Sequence, residues 1–135
     1  MNESYLKAAV CKKMKDLMPG VVIFRHEDKF TGGIPDISVT WNDRTCWVEV
    51  KYDRPKSRAK VTGQQKLTLN RLARHGRALL LTYVEDKDYN KTTMIQNCPG
   101  GIIGIVPKFD HVWAAETVQE ELERNGVAMS HRVLE

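Results

Sequence analysis

Cysteine is scarce in this chain: three residues in 135, Cys11, Cys46 and Cys98, an odd number at wide spacing. No CxxC pair and no Cys/His cluster occurs, so neither a disulfide framework nor a structural zinc site is expected. The thiols read as the reduced cysteines of a cytoplasmic protein. Long apolar runs are missing as well. None approaches the roughly 18–20 residues needed to span a bilayer, and Met1–Tyr5 lacks the charged-then-apolar pattern of a secretion signal. No membrane partner is expected. There is no internal repeat and no long linker, and with 41% hydrophobic and 28% charged residues the chain reads as one domain, residues 1–135, with its own core.

Acidic residues are nearly absent from one stretch. Lys51 to Arg77 holds nine Lys or Arg and a single acid, Asp53, whereas Phe109 to Glu135 holds six acids and two Arg, within a net charge of +4. Taken alone, a Lys/Arg-rich stretch is a solvated face. Next to a site for phosphate chemistry it becomes a surface for a phosphate backbone.

Such a site is written in residues 32–51. Two runs fit strands, Asp36–Trp41 and Thr45–Lys51, joined by a polar Asn42-Asp43-Arg44 turn. Side chains on a strand repeat with period two, so Glu49 and Lys51 share a face, and antiparallel pairing brings Asp36 beside them. Asp36 and Glu49 offer the hard oxygens that Mg²⁺ takes, Mn²⁺ accepts the same ligands, and the Val50 carbonyl, pointing sideways from the strand, adds another. A metal there acidifies water and neutralises charge growing on a phosphate. Lys51 would orient the water and stabilise the phosphate.

The motif Pro35-Asp36, then Glu49-Val50-Lys51 after twelve intervening residues, resembles that of the PD-(D/E)XK nucleases. The wider pattern, Gly33-Ile-Pro-Asp-Ile, Val48-Glu-Val-Lys, Val61-Thr-Gly-Gln-Gln-Lys66 and Leu72–Gly76, resembles the VRR-NUC branch. The likeness covers about residues 3–84. It implies an α/β fold, a restriction-endonuclease-like αβββαβ core with a mixed central sheet flanked by helices, and leaves about 85–135 as accessory strands and helix. It also places Gln65 at the active site and a first-helix Glu beside the metal, which here would be Glu3. Each has a second reading: Thr62-x-x-Gln65 is a capping box, and Glu3 complements the helix dipole.

Along the chain, Leu6, Val10, Met14 and Leu17 make one apolar stripe on a helix over Glu3–Met18, capped by Asn2 and ended by Pro19-Gly20. Lys7, Lys12, Lys13 and Lys15 lie on its other faces, toward DNA or water. Val21–Arg25 reads as a strand, and a loop from Arg25 to Gly33 leads into the site. Arg25, His26 and Lys29 are candidates for phosphate contact, with His26 also a proton shuttle or a plain surface residue. Gly32-Gly33 permits a close backbone approach to the DNA or an unusual φ. Trp41 and Trp47 suit base stacking, a dimer interface or the core. The loop Tyr52–Lys60, with Arg54, Lys56, Arg58 and Lys60, lacks apolar periodicity and is expected to stay mobile until it meets phosphates. A helix from Thr62 to His75 ends at Gly76 as its C′ residue, with Lys66 aimed at the backbone. Ala78–Val84 reads as a strand buried on both faces. Thr93–Gln96 and Ile102–Pro107 read as strands, His111–Ala114 is ambiguous, and Ala115–Asn125 reads as a helix.

The resemblance implies a Mg²⁺-dependent DNA endonuclease. With no sequence-reading module, it is expected to select DNA shape, four-way junctions first, as a Holliday-junction resolvase-like homodimer with one site per subunit. The alternatives are a restriction-type or nicking endonuclease, a non-catalytic DNA-binding module of the same fold, and an interaction protein in which the trio is an ion pair.

Overall fold

The computed structural model describes residues 1–27, 32–98 and 100–124. The elements in chain order are α1 (Glu3–Leu17), β1 (Val22–Arg25), β2 (Ile37–Trp41), β3 (Arg44–Asp53), α2 (Gly63–His75), β4 (Arg77–Glu85), β5 (Lys91–Asn97), β6 (Ile102–Val106) and α3 (His111–Glu123). The fold is α/β: one six-stranded sheet in the order β1-β2-β3-β4-β5-β6, antiparallel throughout except for the parallel β3–β4 pair, which α2 connects. None of the described helices is long and apolar enough to cross a membrane.

Local chemistry explains the elements. The Asn2 side chain accepts from the Tyr5 N–H at 2.9 Å and caps α1. Leu6, Val10, Cys11 and Met14 bury the stripe beneath it. Asn42 and Asp43 both take left-handed φ, 56° and 60°, as a two-residue hairpin turn requires. Arg44 therefore opens β3 opposite Trp41 instead of belonging to the turn. Gly76 departs from expectation. Its φ is −170°, so α2 passes into extended backbone at once, with no left-handed cap.

Period-two alternation divides the sheet between two layers. Val48, Val50, Leu79, Leu81 and Tyr83 face α1 and α3, and α3 contributes Ala114, Ala115, Val118 and Leu122 to that core. Trp47 and Ala78 face α2 through Leu69 and Ala73. β5 and β6 continue the same sheet. α3 starts four residues earlier than the apolar pattern suggests, because the Asp110 side chain accepts from the Trp113 N–H at 2.8 Å and fixes the first turn. Its C-terminal end is held by three side chains from the sheet. Asn42 and Arg44 donate to the Leu122 carbonyl at 3.2 and 2.7 Å, and Arg77 donates to those of Glu121 and Arg124. All three cysteines are free.

Candidate functional site

The β2–β3 ladder runs from Trp41↔Arg44 to Ile37↔Val48. One step further along that register, Asp36 lies opposite Glu49, and its side chain turns to the β3 edge and to Lys7 of α1. Here β2 gives way to buried Pro35, and β3 continues alone along that edge to Asp53. The two carboxylates sit where the strands part. Asp36 donates its backbone N–H to Glu49 Oε1 at 3.2 Å, and its Oδ2 accepts from the Val50 N–H at 2.9 Å. The N–H and C=O of one strand residue point to the same edge, so the Val50 carbonyl faces the Asp36 side too.

Glu49 Oε2 accepts from Gln65 Nε2 and from Lys51 Nζ, each at 3.0 Å. Gln65 closes the capping box and also reaches Glu49. Its Oε1 accepts from the Thr62 N–H at 3.0 Å, closing the capping box, while its amide nitrogen reaches Glu49. Gly33 makes this possible. Its φ is +87°, and a Cβ there would lie 2.8 Å from Thr68 Oγ1 and 2.9 Å from the Gln64 carbonyl. The unusual φ expected at Gly32-Gly33 occurs at Gly33, where the backbone lies close against α2 and seats the helix start beside Glu49.

Sequence reasoning left Lys7 on an outer face of α1, but the structure brings it into the site. Its Nζ is 3.0 Å from Asp36 Oδ1 and 3.6 Å from Glu3 Oε1. The available signal was spacing, since Lys7 is one helical turn past Glu3 and shares its face. Glu3 itself, 40% exposed, meets the carboxylate pair through Lys7.

The electrostatics follow from burial. Glu49 is only 1% exposed. Desolvation, then the Asp36 charge, push its carboxyl up to about 7 against the opposing pull of Lys51. Burial lowers the Lys7 ammonium, but the hydrogen bond and charge of Asp36, with Glu3 and Glu49, carry it above its ordinary range. Among the described residues no cluster of three or more His, Cys, Asp and Glu occurs. The donor set for a cation is therefore two facing carboxylates and the Val50 carbonyl. That set suits an oxygen-seeking ion that keeps several waters, and the raised Glu49 reports first its burial and second the Asp36 charge, of which such an ion would relieve the second.

The basic residues disperse. Arg25 donates to Ser4 Oγ at 3.2 Å and pairs with Glu27 at 2.8 Å. His26 Nε2 lies 2.8 Å from Ser38 Oγ, and the ring is 5.4 Å from that of Trp47. Lys29 lies outside the described residues. The 52–60 segment is more ordered than its composition suggests. Arg54 and Ser57 exchange backbone hydrogen bonds, Asp53 accepts from the Ala59 N–H at 3.1 Å and from Arg58 at 3.3 Å, and Arg54 lies 4.7 Å over the Tyr52 ring. Lys56, Arg58, Lys60 and Lys66 are exposed. Both tryptophans pack inside the chain: Trp41 against the main core while donating to the Pro19 carbonyl at 3.0 Å, Trp47 against the α2 cluster.

No family model matches the chain, and no curated protein matches it.

Proposed function

We propose that this chain is a Mg²⁺-dependent, structure-selective DNA endonuclease of the PD-(D/E)XK kind, similar to the VRR-NUC branch. The observation that carries the reading is the cross-strand pair Asp36–Glu49 where β2 and β3 separate, with Lys51 and Gln65 both on Glu49 Oε2. Asp36, Glu49 and the Val50 carbonyl would hold Mg²⁺ or Mn²⁺, which supplies charge neutralisation at the phosphate and a more acidic water. Lys51 places an ammonium at the same carboxylate, where it orients water and stabilises the phosphate. Gln65 holds Glu49 in position from the helix cap. Lys7 offsets the carboxylate charge from the other side and is free to turn to a phosphate once a cation takes Asp36. The exposed Lys56, Lys60 and Lys66 provide a sequence-independent hold on the backbone.

One chain carries one such site, so cutting a four-way junction on both strands calls for a twofold homodimer. The test is cleavage of a labelled junction, a flap and a linear duplex with Mg²⁺, Mn²⁺ or EDTA, by wild type and Lys51→Ala. Paired symmetric nicks on the junction alone, lost in EDTA and in the variant, are the expected result. Cutting of every substrate removes the shape selectivity, and no cutting with either metal removes the enzyme.

A second reading has its own observation: each of the four carboxylate oxygens already has an internal N–H partner. On that reading the site is a structural ion-pair network within a DNA-binding or interaction module. It predicts no rise in Tm on adding Mg²⁺. The nuclease reading predicts a rise that Asp36→Asn with Glu49→Gln abolishes.

A further inference from the structure

β3 and β4 run parallel, paired from Cys46↔Arg77 to Asp53↔Val84, so the chain leaves both at one end of the sheet. Five residues past Glu49, roughly 16 Å along the strand, that end holds a recess of about 580 Å³. Residues 54–57, with Arg54 and Lys56, line one side, and Glu85, Asp86, Lys87 and Tyr89 line the other.

Tyr89 is out of place by every local rule. The β4–β5 connection is a tight turn in which the Tyr89 N–H donates to the Asp86 carbonyl at 3.0 Å and the Asp86 N–H to that of Asn90 at 2.9 Å. Its last loop residue must be left-handed, a position that favours Gly or Asn. Tyr89 occupies it with φ +64°. A bulky side chain there is strained, and burial does not repay the strain, since Tyr89 is 80% exposed. The turn is nonetheless rigid. Asp86 Oδ1 accepts from the N–H groups of Asp88 and Asn90 at 2.8 and 2.9 Å, and Oδ2 accepts from Asn90 Nδ2 at 3.0 Å. Those bonds occupy both Asp86 oxygens, and the recess carries three cations, Arg54, Lys56 and Lys87, against the carboxylates of Glu85 and Asp86.

We propose that Tyr89 is a stacking post for an unpaired nucleotide, with Arg54, Lys56 and Lys87 on the flanking phosphates. An exposed ring on a rigid turn beside cations is the arrangement that binds single-stranded nucleic acid, because every unpaired base offers a π-face. A base inside a duplex has both faces covered, so the post selects substrates with unpaired nucleotides near the cut. The inference rests on the nucleic-acid reading of the neighbouring site and narrows it to substrates with an open or single-stranded segment.

The test is fluorescence anisotropy in EDTA with a fluorescein-labelled thymidine 15-mer and a duplex of equal length, on wild type, Tyr89→Gly and Tyr89→Phe. Tyr89→Gly is expected to bind the single strand about 5- to 100-fold more weakly and the duplex as wild type does. Its Tm should rise by about 3 °C, since glycine relieves the strained φ. Tyr89→Phe keeps a ring and should keep the affinity. Unchanged single-strand affinity in Tyr89→Gly, or an equal loss on both probes, overturns the stacking role. If metal-dependent cleavage survives in that case, the site reading stands without it. A wild type that binds neither probe and cuts nothing overturns both.

Discussion

In the metal-free protein, Glu49→Gln should gain stability relative to the wild type as the pH rises. Glu49 is 1% exposed and faces Asp36, and its carboxyl is pushed from an ordinary 4.5 up to about 7. Between those two values the folded state binds more protons than the unfolded one, so stability falls with rising pH. Below about 4.5 both states are protonated and the site exacts nothing. Above about 7 both are ionised, and the full penalty, on the order of 3 kcal/mol for the 2.5-unit separation, is present. Glutamine keeps the shape of the side chain without the charge, and its amide nitrogen, which faces an N–H donor on either side, adds a cost that does not vary with pH. The assay is urea unfolding of wild type and variant in EDTA from pH 4 to pH 8. Taking the difference between the two proteins at each pH removes the titrating groups that do not interact with Glu49. The variant should gain steadily on the wild type across that window and level off above it, a total on the order of 3 kcal/mol. Parallel curves would refute the reasoning, since they would mean Glu49 titrates no differently in the folded state. Mg²⁺ added to the wild type should recover most of the lost stability at pH 8 and little at pH 5.

Three other substitutions probe the supports of the site. Lys7→Met removes the ammonium 3.0 Å from Asp36 Oδ1, which competes with any incoming cation. The Mg²⁺ concentration giving half the maximal Tm rise should fall about tenfold, and an unchanged titration would show that Lys7 already stands aside. Gly33→Ala forces a left-handed alanine whose Cβ lies 2.9 Å from the Gln64 carbonyl. It should cost about 2–4 kcal/mol by urea unfolding and speed hydrogen exchange in the first turn of α2. Arg77→Met leaves the Glu121 and Arg124 carbonyls without their donor. It should cost about 2–4 kcal/mol, with exchange protection lost first in α3.

The site was legible where it depended on strand parity and a turn. Cys46, Val48 and Val50 alternate with Trp47, Glu49 and Lys51, and Asn42-Asp43 sets a register that leaves Asp36 no position but opposite Glu49. The continuous apolar run of β4 was equally plain. What the sequence hid depends on reach. A lysine on an amphipathic helix reads as solvated, and nothing local tells that the α1 terminus ends beside β2, so Lys7 went unnoticed. The Gly76 conformation depends on how soon β4 must pair with β3, which no residue near Gly76 announces. The basic segment looked unstructured because its order comes from Asp53 accepting a hydrogen bond six residues ahead, a contact with no periodicity. The start of α3 was written in Asp110, but Val112 and Trp113 read equally well as strand residues.

The clasp of Asn42, Arg44 and Arg77 on the end of α3 has a meaning for synthesis. α1 emerges from the ribosome before α3, yet its apolar stripe packs against α3, which begins roughly 90 residues later. At 5–20 residues per second, Leu6, Val10 and Met14 wait roughly 5–20 s for their cover. The clasp cannot close before the last turn of α3 exists, because it grips the Glu121, Leu122 and Arg124 carbonyls. The carboxylate pair of the hairpin is thus made early on a nascent chain whose core is sealed late, and the growing polypeptide is a natural client for chaperones that shield a lone amphipathic helix.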